Sequence, residues 1–309
     1  MEDGTKRKLE NMAFPLGTFL GVAFGLAIPV FGSWTRSYIV WLLIPLMVFS
    51  LVKIKREELH DGLRRFDLLS AGLLFLYLII PLAMWVAGLA AGLSPELLFG
   101  VTLASLAPTI VLAPFFTDMI GGNRVLAAMI SVVSTLLSPL LIPAMLVLLV
   151  GRTVDVPVTA IALNAGVLVG LPVVIAVLLR KARPDLRDRP VPCERYLNAV
   201  IFFFFMWGVI ASSLGGISLL SVTLLLAFAF LQEYAFFFGL RWVLGKMSAR
   251  GLMSGANAKA LALCIGIKNG AMTAGIALTF SATVAVSSGL ITLVSAPMFI
   301  LFGIFREKM

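Results

Sequence analysis

Residues that build disulfides and metal sites are scarce in this chain. Its 309 residues include two cysteines and one histidine. Cys193 falls in a basic loop and Cys264 in an apolar stretch, so we expect no disulfide between them. His60 stands alone in a polar loop, and no cluster of Cys and His residues indicates a bound metal. The sequence therefore predicts neither a metal nor another cofactor, and no catalytic motif indicates an enzyme.

Charged residues are also scarce, which excludes an ordinary soluble domain. Such domains are about 25% charged and about 45–50% apolar, whereas this chain is 13% charged and 61% hydrophobic. Apolar stretches of about 20 residues, each long enough to cross a bilayer, recur along it. We predict an all-α integral membrane protein with ten transmembrane helices. The predicted spans are 13–32, 37–54, 67–92, 95–118, 123–150, 156–180, 196–215, 217–240, 256–280 and 282–305.

Basic residues lie mostly on one side of this ten-helix arrangement. With the N-terminus in the cytoplasm, 21 of the 24 Lys and Arg residues are cytoplasmic, Arg36 and Arg152 are external, and Lys268 lies within span nine. This bias follows the positive-inside rule. We therefore predict a multi-pass protein of the plasma membrane with both termini cytoplasmic. The stretch 1–11 lacks the apolar core of a secretory signal peptide. The basic loops are expected to face membrane lipid, and we expect no nucleic-acid partner.

Two segments half a chain apart are similar. Thr135 and Ser138 in span five each lie 157 positions before Thr292 and Ser295 in span ten. Because each half contains five spans, the halves would be inverted relative to each other, as in many secondary transporters. We predict two inverted five-helix repeats, at about 13–150 and 156–305, within a single membrane domain, 1–309.

The fourth span of each half contains residues that interrupt a helix. Pro108 and Pro114 in span four each remove a helix hydrogen bond. Span nine contains Lys268 and Asn269 in a glycine-rich stretch. Interrupted helices at matching positions indicate the binding site of a transporter, because their freed backbone groups need protein, water or a solute as partners. We therefore expect helices four and nine to be broken.

Lys268 is the most unusual residue of span nine. A charge at bilayer depth is costly unless it faces protein, water or a counter-charge. The amine could attract an anion together with the positive ends of half-helices, or bind and release a proton. Glu233 and Asp118 are candidate counter-charges. The alternative is a fixed structural ion pair that takes no part in function.

Hydroxyl-bearing residues surround the predicted breaks. We expect them to line a substrate or coupling site, with helix-to-helix hydrogen bonding as the alternative. The aromatic run 202–207 is expected to face lipid. The hydroxyl candidates are Thr109, Ser131, Ser134, Thr135 and Thr273.

Several segments resemble the bile-acid/sodium symporter family. The resemblance is strongest over 108–143, and it includes 42–50 and 266–269. It implies a panel domain, a core domain and two broken helices that cross near the bilayer midplane. It also implies a secondary transporter that moves a small organic anion by alternating access.

The positions that hold one sodium ion in that family are substituted here. The resemblance places this ion at a Ser-Asn pair, two hydroxyls and a glutamate. The matching residues are Ala113-Pro114, Ala127, Ser131 and Cys264. Hard cations prefer several oxygen ligands, so a single hydroxyl is a poor replacement for this set.

The second sodium position is substituted as well. The resemblance places two glutamines there, where this sequence has Leu76 and Lys268. An ammonium group would repel a sodium ion. We therefore expect a sodium-independent transporter, proton-coupled or facilitative, in which Lys268 replaces the sodium charge.

Other interpretations stay open. One is a facilitator similar to auxin efflux carriers, with a broken-helix fold and no sodium. Another is a non-transporting membrane sensor in which Lys268 makes a fixed structural contact. A membrane-embedded enzyme is a third class, but it would need a catalytic set that no span provides. The expected partners are a small organic anion, membrane lipid and, with coupling, protons.

Overall fold

The computed structural model describes residues 2–30, 34, 38–52, 65–183, 194–213 and 217–304. Predictions about His60, Cys193 and most of the basic loops lie outside these residues. The described backbone consists of helices and turns, with no strand within those ranges. The predicted all-α fold is confirmed.

The described ranges contain twelve helices and half-helices. In chain order they are α1 (Glu2–Ala27), α2 (Ile39–Val52), α3 (Phe66–Ala90), α4 (Pro95–Ser105), α5 (Ala113–Met119), α6 (Arg124–Val150), α7 (Val158–Ala182), α8 (Glu194–Ser213), α9 (Leu219–Ala249), α10 (Gly255–Gly266), α11 (Gly270–Leu278) and α12 (Ala282–Ile304). Four of these, α3, α6, α7 and α9, are long and apolar enough to cross a membrane by themselves. The chain is a multi-pass membrane protein.

Two helices extend beyond the predicted spans. α1 begins at Glu2, because the polar residues before the apolar stretch are mostly good helix formers. α9 continues to Ala249, well past the predicted end at residue 240. It stops just before Gly251, whose φ of 74° is readily adopted by glycine.

Spans four and nine are each interrupted. The first break separates α4, which ends at Ser105, from α5, which begins at Ala113. Pro108 lies within this break, and Pro114 lies in the first turn of α5, where a proline is tolerated. The second break separates α10 from α11 and contains only residues 267–269. Each break leaves backbone groups that the helices do not satisfy.

Four helices pack in pairs on one side of the molecule. α1 lies along α8, and α2 lies against α7. We call α1, α2, α7 and α8 the panel, and the remaining helices the core. Gly17, Gly21 and Gly25 bring α1 close to α8, and a Cβ at Gly21 would lie 2.4 Å from the Phe203 carbonyl oxygen. Small residues spaced by four allow this close approach in membranes.

Two core helices, α3 and α9, each contain a π turn. The turn in α3 covers Phe75–Ile79, and the turn in α9 covers Leu231–Ala235. A π turn locally shifts the regular ladder of helix hydrogen bonds and is frequent at functional sites. Both turns contribute to the site described next.

Candidate functional site

The two helix breaks cross and bond to each other through their backbones. The Asn269 N–H donates to the Pro108 carbonyl at 2.8 Å, and the Ile110 N–H donates to the Ile267 carbonyl at 3.2 Å. The two segments run antiparallel. These bonds satisfy groups that would be costly to leave unpaired inside a membrane. The crossing is therefore stabilised by the protein itself.

Lys268 lies at the centre of this crossing and is only 2% exposed. Its amine donates to the Leu76 carbonyl at 3.2 Å. Leu76 is part of the π turn of α3. An interior helix carbonyl usually accepts from an N–H of its own helix, and the shifted ladder of a π turn makes a bond from outside easier to accommodate. The amine is thus directed into the protein core.

Glu233 reaches Lys268 from the other π turn. This carboxylate is fully buried, and its Oε1 accepts from the Lys268 backbone N–H at 3.0 Å. Its Oε2 accepts from the Ser295 hydroxyl at 2.8 Å. Asp118, the other predicted counter-charge, is exposed near the end of α5. Of the two carboxylates, Glu233 is the one that contacts Lys268.

Lys268 is therefore placed between the two π turns. Its side chain bonds to the turn of α3, and its backbone bonds to the turn of α9. A third contact holds α9 to the first break region, because the Gln232 amide donates to the Ala104 carbonyl at 3.4 Å. A buried cation and a buried carboxylate in one hydrogen-bonded site offset each other's charge.

The residues at the first substituted sodium position also lie together. The Cys264 thiol lies 3.9 Å from the Ala127 carbonyl oxygen. Ser131 donates to the Ile110 carbonyl at 3.4 Å. Ala113, Ala127 and Cys264 are all completely buried. Methyl and thiol groups thus occupy most of the places where the resemblance implies oxygen ligands.

Most of the other predicted hydroxyls bond to backbone carbonyls. Ser134 donates to Ser131 at 3.2 Å, and Thr273 donates to Gly270 at 3.2 Å, each within its own helix. Thr109 donates across the crossing to Ile267 at 3.4 Å. Thr135 is buried on α6. These contacts stabilise the helices and the crossing.

A narrow cleft of about 30 Å³ lies between the panel and the core. Of the predicted site residues, Lys268 and Asn269 line this cleft, and the others do not. Its remaining lining comes from the first break and from four helices: Ile110, Val111 and Leu112 of the break, Leu46 of α2, Phe202 of α8, Gly270 and Ala271 of α11, and Thr292 and Ser295 of α12. The cleft therefore contacts both groups of helices.

The prediction that the aromatic run faces lipid is wrong for part of the run. Phe202 and Phe205 are buried, while Phe204 is 36% exposed. The cause is the packing of α8 against both α1 and α12, which covers one side of the helix. Phe202 consequently lines the cleft.

Thr292 and Ser295 are site residues that the sequence prediction missed. The sequence identified them only as repeat partners of Thr135 and Ser138. The available signal was their spacing of three, which places both hydroxyls on one face of an apolar helix.

Comparison with known proteins identifies the family. A profile of the sodium bile acid symporter family matches residues 40–235, well over half of the chain. The chain belongs to this family. The matched range runs from α2 through the π turn of α9, so it contains Leu76 and Glu233. The second break, with Lys268, lies beyond it.

Three relatives from this comparison are named as transporters. Sodium/bile acid cotransporter 7 of Xenopus tropicalis is 26% identical over 160 residues, covering 50% of this chain and 47% of the relative. A probable chloroplastic sodium/metabolite cotransporter of Oryza sativa subsp. japonica is 23% identical over 195 residues, covering 63% and 46%. An uncharacterized sodium-dependent transporter of Bacillus subtilis is 22% identical over 277 residues, covering 88% and 84%. The chain spans about half the length of the first two relatives, and none of the three is named as an enzyme.

Proposed function

We propose that this chain is a secondary transporter of a small organic anion that works without sodium. The observation that carries the proposal is the buried amine of Lys268, bonded to Leu76. These two residues occupy the positions that the resemblance assigns to the sodium-binding glutamines. The amine is covalently attached to the chain, and it would supply the positive charge that a bound sodium ion supplies in relatives.

Electrostatics argues against a sodium ion beside this amine. Two unit positive charges about 4 Å apart repel by about 4 kcal/mol at an effective dielectric constant of about 20. That energy corresponds to a roughly thousandfold loss of affinity. The other substituted position has a thiol at Cys264 and methyl groups at Ala113 and Ala127, which are poor ligands for a hard cation.

The cleft must widen to admit a solute, and the chemistry of its lining suits a small anion with an apolar part. Gly270 and Ala271 line it at the N-terminal turn of the nine-residue helix α11. The N–H groups of such a turn and the charge of Lys268 both favour a negative group. Leu46 and Phe202 provide apolar surface on the panel side. Mostly apolar walls with a few polar groups are typical of sites for small organic molecules.

Transport would occur by rocking of the panel against the core around this cleft. On the side predicted to be external, the Asn164 side chain of α7 donates to the Thr279 hydroxyl after α11 at 2.8 Å. This contact links panel to core and must break if that side opens.

The matching breaks and π turns support the proposed inverted repeats at about 13–150 and 156–305. The same proposal takes the chain as a single ten-helix domain of the plasma membrane, with both termini in the cytoplasm. The cytoplasmic location proposed for the termini follows from the distribution of basic residues.

The test begins with thermal unfolding of the purified protein in potassium salts of acetate, succinate, benzoate and cholate. An anion that stabilises the protein is then offered, radiolabelled, to proteoliposomes in buffers that contain either sodium or potassium. We expect uptake of equal rate in both buffers. Uptake that requires sodium would refute the proposal, and binding without uptake would favour the sensor alternative.

A further inference from the structure

We infer that Glu233 is a proton-binding site that communicates with the cleft through Ser295. Its coupling role rests on the proposed transport function, whereas the proton site itself does not. Glu233 would then carry the reversible charge of this site.

A single hydroxyl group connects the cleft with the buried carboxylate. Ser295 lines the cleft, and its Oγ lies 2.8 Å from Oε2 of Glu233. The carboxylate itself has no exposed surface. A proton entering from the cleft would therefore reach Glu233 through one hydrogen-bonded group.

The hydrogen bonds around Glu233 suit both of its protonation states. The Ser295 hydroxyl has one hydrogen but two acceptors at 2.8 Å, Oε2 of Glu233 and the Ile291 carbonyl. When the carboxylate is charged, Ser295 donates to it. When the carboxyl is neutral, its O–H donates to Ser295, and the serine hydrogen turns to Ile291. The heavy atoms need not move between the two states.

The other carboxylate oxygen has a partner that does not change. Oε1 accepts from the Lys268 backbone N–H at 3.0 Å, a bond that either protonation state can retain. A fixed bond on one oxygen and an adaptable bond on the other are what a reversible proton site needs.

Few other ionisable groups surround this carboxylate on the packed helices. α10 contributes Lys259 near its start and Cys264 near its end, and Tyr234 is the next residue of α9, its hydroxyl bonded to the Val294 carbonyl. α4 contributes Glu96, which is exposed and bonded to Ser281 at the far end of that helix. The described part of α12, 282–304, contains no ionisable side chain. Lys268 and Glu233 therefore dominate the local charge.

Protonation of Glu233 changes the charge of the site by one unit. With the carboxylate charged, it offsets the Lys268 amine. With the carboxyl neutral, the amine charge is uncompensated and attracts an anion in the cleft. One proton and one anion would then bind together and leave together, which makes the cycle a proton–anion symport.

The test uses pH-difference infrared spectroscopy of the full-length protein in liposomes, with no added solute. The carboxyl C=O band of a protonated glutamic acid should grow as the pH is lowered from mildly alkaline to mildly acidic. This band should be lost in Glu233→Gln, which mimics the neutral carboxyl and keeps its hydrogen bonds. Glu96→Gln is the matched control and should retain the band. If wild type and Glu233→Gln give the same difference spectrum, the inference is refuted.

A second measurement tests whether the proton reaches Glu233 through Ser295. In heavy water, deuterium exchange of the Glu233 band should be slower in Ser295→Ala than in the wild type, and an unchanged rate would refute the path through Ser295. Because neither measurement needs a transported solute, failure of the transport proposal appears separately, as absence of uptake by the wild type.

Discussion

Replacing Lys268 with methionine separates the charge of this side chain from its bulk. Methionine preserves most of the apolar stem, and its backbone N–H can still donate to Glu233 as the lysine N–H does. The fold loses the bond from the amine to Leu76. Glu233, whose charge the amine no longer offsets, can stay buried as a neutral carboxyl. Side-chain hydrogen bonds between membrane helices contribute about 0.6–2 kcal/mol, so we expect the variant to fold.

Anion binding should suffer far more than stability. A unit charge about 4–8 Å from the anion contributes roughly 2–4 kcal/mol at an effective dielectric constant of about 20. Its removal should therefore weaken anion binding by about 30-fold to 1,000-fold. The assay is titration of the purified variant with an anion that stabilises the wild type, followed by uptake into proteoliposomes.

Lys259→Met is the matched control. The Lys259 amine also donates to a backbone carbonyl, that of Ile120 at 2.7 Å, but Lys259 does not line the cleft. The control should lose a similar amount of stability and keep its anion affinity. The reasoning is refuted if Lys268→Met binds the anion as tightly as the wild type, or if both variants lose affinity equally.

Two further predictions concern the close packing of the crossing and the motion of the panel. Gly270→Ala should destabilise the protein by about 1–3 kcal/mol, because the new Cβ would lie 2.4 Å from the Ser288 carbonyl oxygen. Gly239→Ala, which has no atom within 4 Å of the new Cβ, should be neutral or slightly stabilising in the same thermal-unfolding assay, and equal effects would contradict the close approach. A short, reducible cross-linker that joins cysteines introduced at Asn164 and Thr279, which are hydrogen-bonded at 2.8 Å, should stop uptake until it is reduced. Uptake that continues with the cross-link intact would refute panel motion on that side.

The transmembrane helices were predictable because a helix that crosses the bilayer needs about 20 mostly apolar residues. Apolar length located the spans, and Pro108, Pro114 and the glycines around Lys268 located the two interruptions. The ends of α1 and α9 were not predictable in this way, because charged residues with good helix propensity can extend a helix into water.

The partners of Lys268 were harder to predict. The sequence identified Glu233 as a possible counter-charge because a carboxylate in an apolar span is rare. It did not show that the carboxylate would contact the backbone N–H of Lys268 while the amine bonds to Leu76. That arrangement depends on two π turns, which have no simple sequence signal.

The lining of the cleft depended on packing between distant helices. Phe202 looked like a lipid-facing residue because its neighbours are aromatic, but α1 and α12 cover that side of α8. Ser295 was visible only as half of a weak repeat. Its importance comes from its contact with Glu233 across helices, which local sequence patterns cannot reveal.

The most direct test of the tethered-charge account is thermal unfolding of the purified protein in matched sodium and potassium chloride. A ligand that binds only the folded state raises the unfolding midpoint as its concentration rises. We predict the same midpoint in both salts at every concentration, because the Lys268 amine already occupies the cation position. A midpoint that rises with sodium but not with potassium would contradict this account.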